Sequence, residues 1–392
     1  MAGHVLTLNA GSSSLKFGLF ELAEVPVAVA TGMVERKDGI AAIELRSALG
    51  ETLVAEALSS DAAHSQDGMY EAVLKALQTH YPERAVAAVG HRVVHGGLNH
   101  AAPVVITDEI KRDLEELIPF APLHQPHNLA GIDAASKAFP GALQFACFDT
   151  AFHRNHPWVN DTFALPREYY DKGVRRYGFH GLSYEYIADR MEQIAPHLHA
   201  GRVVVAHLGN GASMCALLGG RSVGSTMGLS ALDGLPMGTR CGQIDPGVLL
   251  YLMDQEGMDA REIAELLYRK SGLLGLSGMS SDMRTLQSAG TPEAEQALDY
   301  YVFRIRRELG ALTAVLGGLD AVVFCGGIGE NSAPIRLRVC EGLHWLGLEI
   351  DRMKNVDNAT VISTDLSRVR VLVVPTNEEL VIARAASGLL AA

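Results

Sequence analysis

Apolar positions along this chain come in two patterns. Short, nearly unbroken runs occupy residues 4–9, 15–20, 86–94, 145–149, 202–207, 213–218, 321–325 and 370–374. Runs of that length and continuity predict β-strands buried on both faces. Between them lie segments with helix-start signals. Thr107 stands before Asp108 and Glu109, and Pro119 marks the stop. Ser183 opens a segment that runs to Ile194, Thr291-Pro292 opens an amphipathic one that runs to Leu316, and Asn377 precedes Glu378 and Glu379. A small polar cap followed by acids or proline satisfies the orphan amides of a first helical turn. Strand and helix alternate, which predicts an α/β architecture. One stretch, Gly310 to Gly329, is long enough to span a membrane and holds Asp320 as its only charge. Gly317-Gly318 should end a helix there, and residues 321–325 read as a strand, so a helix–turn–strand is expected instead.

A weak internal repeat organises these elements. His4 to Phe17 reads as strand, small polar turn, strand, and Val203 to Met214 has the same plan; the turns are Asn9–Ser14 and Gly209–Ser213. Two further apolar strands run into glycine pairs, Gly96-Gly97 and Gly326-Gly327. Two copies of one α/β unit predict two lobes with a cleft between them and a boundary near residue 150.

Composition narrows the function. The 392 residues carry 33 basic and 45 acidic side chains, a net charge of −12, which argues against a nucleic-acid or membrane-surface binder. A local arginine cluster still suffices for a small anion. Glycine is high at 40 residues, so many backbone positions are unusual or lie close to something bound. The five cysteines are odd in number and form no CxxC, which suggests a reducing compartment, hence the cytoplasm; no signal peptide is visible.

Several motif classes are missing. Neither GxxxxGK[ST] nor GxGxxG occurs, so a nucleotide would be held by other means. The two hairpin turns offer clustered amides to an anion, Lys16 adds a charge just beyond the first, and a third loop, Gly326 to Asn331, precedes a helix starting near Pro334. Together they suggest a phosphate clamp. Arg92, ending an apolar strand, and Arg240, among glycines and apolar residues, have the forked shape that matches a carboxylate or phosphate, although a structural ion pair is the alternative for each. The pairs His91/His95, His124/His127 and His153/His156 lack the further ligands of a zinc site. His180 lies beside glycines just before a helix and is expected in a cleft, as a donor to a transition state. Gly220 to Gly224 matches GxSxG around Ser222, but no helix pattern follows, so a hydrolase elbow is not expected. Asp149 and Glu378 each follow an apolar strand and could serve a metal; Glu378 and Glu379 could equally be helix-start acids.

Taken together, these residues resemble the acetate kinase family. The matching strings are Leu8 to Phe17, Gly90 to Gly97, Phe148 to His153, Arg176 to Gly181, His207 to Ser213, Met237 to Gly242, Gly327 to Asn331 and Pro375 to Glu379. They run in the family's order and cover essentially the whole chain. The resemblance implies two duplicated ribonuclease-H-like lobes of the actin-like ATPase superfamily, with ATP between them, and a homodimer. It implies lobes of 1–149 plus 380–392 and of 150–379, the last helix returning to the first lobe. By matching motif, Arg92 and Arg240 would hold acyl substrate and phosphoryl group, and His180 would stabilise the transition state, with His124 and His207 as lesser contributors. Asn9 and Glu378 look like the magnesium positions, with manganese as a substitute and Asp149 in the same network. His207, Leu208, Gly209, Asn210, Gly211, Asp282, Met283, Arg284, Gly327, Ile328, Gly329, Glu330 and Asn331 would hold ATP or ADP. Val94, Leu123, Phe179 and Pro236 would line the pocket for the methyl group.

The implied reaction is ATP plus acetate to acetyl phosphate plus ADP, by direct in-line transfer. A carboxylate is already ionised at pH 7, so no general base is needed, and Asp149 is a metal-network or arginine-orienting group. Val94 is bulky enough to favour acetate, while propionate or butyrate kinase and a plain ATPase on the same lobes are the competing readings. The chain departs from the family pattern at Gln243, where aspartate is expected, and at Leu182-Ser-Tyr184, where Thr-Ser-His is more usual.

Overall fold

The computed structural model describes residues 3–10, 14–37, 40–58, 66–122 and 124–391. The chain divides into two compact units, Met1–Phe152 with Asn377–Ala392, and His153–Thr376. These limits lie a few residues from 149/150 and 379/380.

The first unit is built on an eight-stranded mixed sheet. Its strands are β1 (His4–Ala10), β2 (Ser14–Glu21), β3 (Val27–Lys37), β4 (Ile40–Ser47), β5 (Thr52–Ala57), β6 (Val86–Val93), β7 (Val104–Val105) and β8 (Leu143–Phe148). They lie in the order β5-β4-β3-β2-β1-β6-β8-β7. The parallel trio β1, β6 and β8 forms the centre, and its continuous apolar runs are the ones the sequence pattern picks out. The extension β3–β5 was not expected. Strand β4 alternates exposed and buried positions and β5 is largely exposed, so neither offers an unbroken apolar run. The helices Gln66–His80 and Gln125–Ala138 were also missed.

The second unit repeats the plan with five strands: β9 (Arg202–Leu208), β10 (Ala212–Leu218), β11 (Arg221–Ser225), β12 (Ala321–Cys325) and β13 (Arg370–Val373). Their order, β11-β10-β9-β12-β13, matches β3-β2-β1-β6-β8 strand for strand. In both, a hairpin leads and a parallel strand pairs on the other side of its first member. The expected α/β fold with a duplicated unit is therefore the observed one.

Capping follows local chemistry. Thr107 accepts from Ile110 N at the start of Asp108–Glu116, and Thr291 accepts from Ala294 N at the start of Pro292–Leu316. That long helix stops at Gly317 in the left-handed conformation, and β12 follows; among the described residues no helix is long and apolar enough to cross a membrane. Asn377 Oδ1 accepts from Leu380 N at 2.9 Å at the head of the last helix, Glu378–Ala391. This helix packs on β1 and β6. Gly90 permits that approach, because a Cβ there would lie 2.4 Å from both Ile382 Cγ2 and Phe145 Cζ.

Two expectations are corrected. The helix that Ser183 was to open begins earlier, as Gly181–Ile194, with His180 as its cap. Gly326–Asn331, expected as a loop, is a short helix. Gly326 turns the chain from β12 into it at φ +76°, and tertiary contacts hold the turn: Glu330 Oε1 accepts from Gly326 N and Thr376 N, while Arg336 donates to the Gly329 and Glu330 carbonyls.

Candidate active site

In the first unit, the carboxyl ends of the parallel strands lie along one sheet edge and carry three predicted residues. Asn9 is next to last in β1, Arg92 next to last in β6, and Asp149 follows β8 directly. The Arg92 fork grips Asp149 through two bonds, Nε to Oδ1 at 2.9 Å and Nη2 to Oδ2 at 2.6 Å, and its Nη1 donates to Asn9 Oδ1 at 3.0 Å. Asp149 is fully buried. Burial alone would push Arg92 toward its neutral form, but the carboxylates of Asp149, Glu378 and Glu379 outweigh it and raise the pKa. Arg92 is thus an oriented, permanently charged donor.

Asn9 turns its amide nitrogen to Glu378 Oε2 at 2.8 Å and to Glu379 Oε1 at 3.2 Å. Two carboxylates held side by side by one neutral amide suit a small hard cation that keeps most of its waters. Among the described residues no group of three or more His, Cys, Asp or Glu forms an all-protein cage. The carboxylate pair is of the kind that a hard divalent cation such as magnesium takes. The same acids begin a helix, where they also complement its dipole, so the two sequence readings of Glu378 and Glu379 are compatible. In this arrangement Asn9 presents nitrogen to the acids and orients them.

The remaining predicted residues of this unit are spread more widely. Lys16 lies directly across from Asn9 in the β1–β2 register and is exposed. Val94 is 5% exposed and its N–H donates to Asn128 Oδ1 at 3.0 Å. His124 precedes the helix Gln125–Ala138. Leu123 and the turn residues 11–13 lie outside the described residues. His91 pairs with Gln144 at 2.8 Å, and burial pushes its pKa down to about 4.

In the second unit several predicted residues gather around the turn between β9 and β10. The turn between β9 and β10 closes with Gly209 N donating to Gly211 O at 3.0 Å. A Cβ on Gly211 would lie 2.9 Å from Arg240 Nη2 and 3.2 Å from His180 Nε2, so two polar tips converge where the chain has no side chain. Arg240 Nη1 donates to Ala231 O at 2.7 Å. The His180 and His207 rings stack with centroids 4.3 Å apart and 18° between planes. His207 lies level with Cys325 in the β9–β12 register, which brings it to the start of Gly326–Asn331. Gly238 adjoins Asn210, whose carbonyl accepts from Gly238 N at 3.3 Å. Phe179 and Pro236 are buried. Asp282 caps the short helix Met283–Ala289, and the amide of Thr285 holds its carboxyl below the usual range; Arg284 is exposed.

His180 sits at φ 58°, ψ 26°, one of two non-glycine residues with positive φ among those described. That conformation costs roughly 1–2 kcal/mol. Two hydrogen-bond chains hold it, and their members were missed as functional residues. On the ring, Nδ1 meets Ser213 Oγ at 2.8 Å, and Tyr184 OH meets the same oxygen at 2.5 Å. On the backbone, His153 Nε2 donates to Phe179 O at 3.0 Å. His153 Nδ1 and His156 Nε2 both meet Ser222 Oγ at 2.7 Å. Burial pushes His153 down to about 4 and His156 to about 3, so both are neutral at pH 7. Ser222 is thus the centre of a buried prop inside β11, with no elbow around it. The available signals were a polar residue inside an apolar strand, at Ser213, and the departure at Tyr184.

The acetokinase family model matches residues 4–384. The chain is 56% identical to an acetate kinase of Methylocella silvestris, over 100% of this chain and 98% of the relative. A crystal structure of Porphyromonas gingivalis acetate kinase superposes with a TM-score of 0.85 at 40% identity, covering 99% of this chain and 100% of that one. A propionate kinase from Francisella tularensis superposes with a TM-score of 0.89 at 35% identity, covering 98% of each.

Proposed function

The chain belongs to the acetokinase family of phosphotransferases with a carboxyl acceptor, and we propose that it transfers the γ-phosphoryl group of ATP to acetate, reversibly, giving acetyl phosphate and ADP. The observation that carries this reading is the convergence of Arg240 Nη2 and His180 Nε2 over Gly211. Phosphoryl transfer needs little covalent help from the protein; it needs donors placed where charge develops.

The acceptor carboxylate is an anion at pH 7, so no residue removes a proton from it. Arg92, fixed by Asp149 and Asn9, binds that carboxylate, and Val94 with Phe179 and Pro236 limits its alkyl length. Arg240 and His180 donate to the transferring phosphoryl oxygens. His207 supports His180 by stacking. The turn His207 to Gly211, Asp282 to Arg284 and Gly327 to Asn331 bind the nucleotide, and Lys16 adds a positive charge for the phosphates. Glu378, oriented by Asn9, would hold magnesium, which when bound supplies charge neutralisation to the phosphate oxygens.

The chain acts as a homodimer in this reading. Support comes from the helix Pro246–Asp254, which has apolar residues at Val248, Leu250, Tyr251 and Met253 and no buried residue. An exposed apolar face of that kind suits a partner surface.

The test is ADP formation from ATP and magnesium with acetate, propionate, butyrate or no acid, with acyl phosphate trapped by hydroxylamine. Trapped product with acetate, declining with each added carbon, supports the reading. Turnover that ignores every acid overturns it in favour of a plain ATPase. Preference for propionate would move the assignment toward the longer-chain kinases, one methylene being worth about 1–3 kcal/mol in an apolar pocket.

A further inference from the structure

Proton counting fixes the hydrogen-bond roles around His180. Tyr184 is wholly buried, and among the described residues its hydroxyl has Ser213 Oγ, 2.5 Å away, as hydrogen-bond partner. Burial pushes the phenol well above its ordinary pKa, so it keeps its proton. A buried phenol with one partner donates to that partner, since accepting instead would leave its own proton orphaned. Ser213 Oγ therefore accepts from Tyr184. The Ser213 proton then goes to His180 Nδ1 at 2.8 Å, which must be an acceptor. An imidazole that accepts at Nδ1 carries its proton at Nε2.

The other arrangement fails on the same count. A proton on Nδ1 would aim two donors, Tyr184 and His180, at one hydroxyl oxygen, and would leave the Ser213 proton without an acceptor. A doubly protonated ring has that fault too. It would also face the Arg240 tip across Gly211 and stack on His207 at 4.3 Å, both of which disfavour added positive charge.

The geometry points to Tyr184 and Ser213 as a positioning pair that holds His180 in its Nε2–H form, so that a donor faces the transferring phosphoryl group. The direction of that donor rests on the function proposed above; the tautomer does not. Separating the two jobs makes physical sense. The chain from His156 through Ser222 and His153 to Phe179 O fixes the backbone before the left-handed residue. The chain from Tyr184 through Ser213 fixes the ring and its proton. Tyr184 is also one of the positions where this chain departs from the pattern that the resemblance leads one to expect.

The experiment is long-range proton–nitrogen NMR of the full-length protein with nitrogen-15 in the histidine rings, His180 being assigned by the signal lost in His180→Gln. At neutral pH and without substrate, His180 is expected to show a protonated Nε2 and a bare Nδ1. Tyr184→Phe keeps the ring and its packing but removes the first donor. It should give a mixture of tautomers and lower kcat by about 10-fold or more, with KM for acetate little changed. Ser213→Thr keeps the hydroxyl and should retain the wild-type tautomer. A proton on Nδ1 in the wild type, or a Tyr184→Phe protein with unchanged tautomer and kcat, overturns the inference. If the tautomer is as expected but His180→Gln still forms acetyl phosphate at the normal rate, the relay stands and the role proposed for His180 in the reaction falls.

Discussion

Adding one carbon at Gly211 tests the convergence on which the proposed function rests. In Gly211→Ala the new Cβ would stand 2.9 Å from Arg240 Nη2 and 3.2 Å from His180 Nε2, whereas ordinary contact begins at 3.4 Å. The arginine tip must retreat about 0.5 Å and the imidazole about 0.2 Å to restore ordinary contact. Neither slides freely. Arg240 Nη1 is tied to Ala231 O at 2.7 Å, and His180 Nδ1 to Ser213 at 2.8 Å. A misplacement of about 1 Å at a reacting centre costs on the order of 10²-fold, so half of that predicts roughly a 10-fold fall in kcat, or about 1.4 kcal/mol of barrier. Stability should barely change. The displaced group is the tip of a long side chain, Gly211 is not at positive φ, and alanine narrows the unfolded ensemble by about 0.4–1 kcal/mol. The assay is steady-state hydroxamate kinetics beside a thermal melt. A kcat within about 2-fold of wild type would refute the geometric argument. A melting point lowered enough to explain the lost rate would refute the claim that the damage is local.

Other perturbations reach the rest of the structure. Asp149→Asn places an amide where the Arg92 fork has two acceptor oxygens, so one of the two bonds becomes donor against donor. Breaking a buried pair from one side predicts a loss of about 3 kcal/mol in a denaturant titration with acetate turnover falling alongside, and an unchanged unfolding midpoint would exclude the pair as a structural element. Acid should destabilise both units before the carboxylates titrate. His91 and His153 have pKa values near 4 when folded against about 6.5 unfolded. The unfolded chain therefore takes up protons first, and stability present above pH 6.5 is lost as pH falls toward 4, by up to about 3 kcal/mol for each histidine. A urea midpoint that stays flat between pH 7 and pH 4.5 would contradict this. Gly90→Ala should cost at least about 1–3 kcal/mol by overpacking the last helix against β6, with partial recovery in the Gly90→Ala/Ile382→Ala double variant; full stability in the single variant would mean that the helix packs more loosely than its contacts indicate.

The sequence alone determined the central strands, the duplicated hairpin plan and most of the caps. These depend on chemistry local to a few residues: strands buried on both faces must be continuously apolar, and a first turn needs a side-chain acceptor such as Thr107 or Thr291. It also pointed to Arg92, Asp149, His180 and Arg240, because charged or polar groups stood out against glycine and apolar neighbours. What the tertiary structure alone decided has a common cause, which is dependence on partners distant in sequence. Strands β3 to β5 exist because β2 offers an unpaired edge, and their half-solvated residues carry no strong pattern of their own. Gly326–Asn331 is helical because Glu330, Thr376 and Arg336 close around it. Ser222 sits in a GxSxG string whose following residues already argue against a hydrolase elbow, but its role as a buried hydrogen-bond centre shows only in three dimensions, since the two histidines that claim its hydroxyl are more than sixty residues away. The proton carried by His180 is decided in the same way, by a serine on β10, 33 residues along the chain, and a tyrosine one helical turn along, and hydrogen-bond partners of that kind become legible only when the chain has folded.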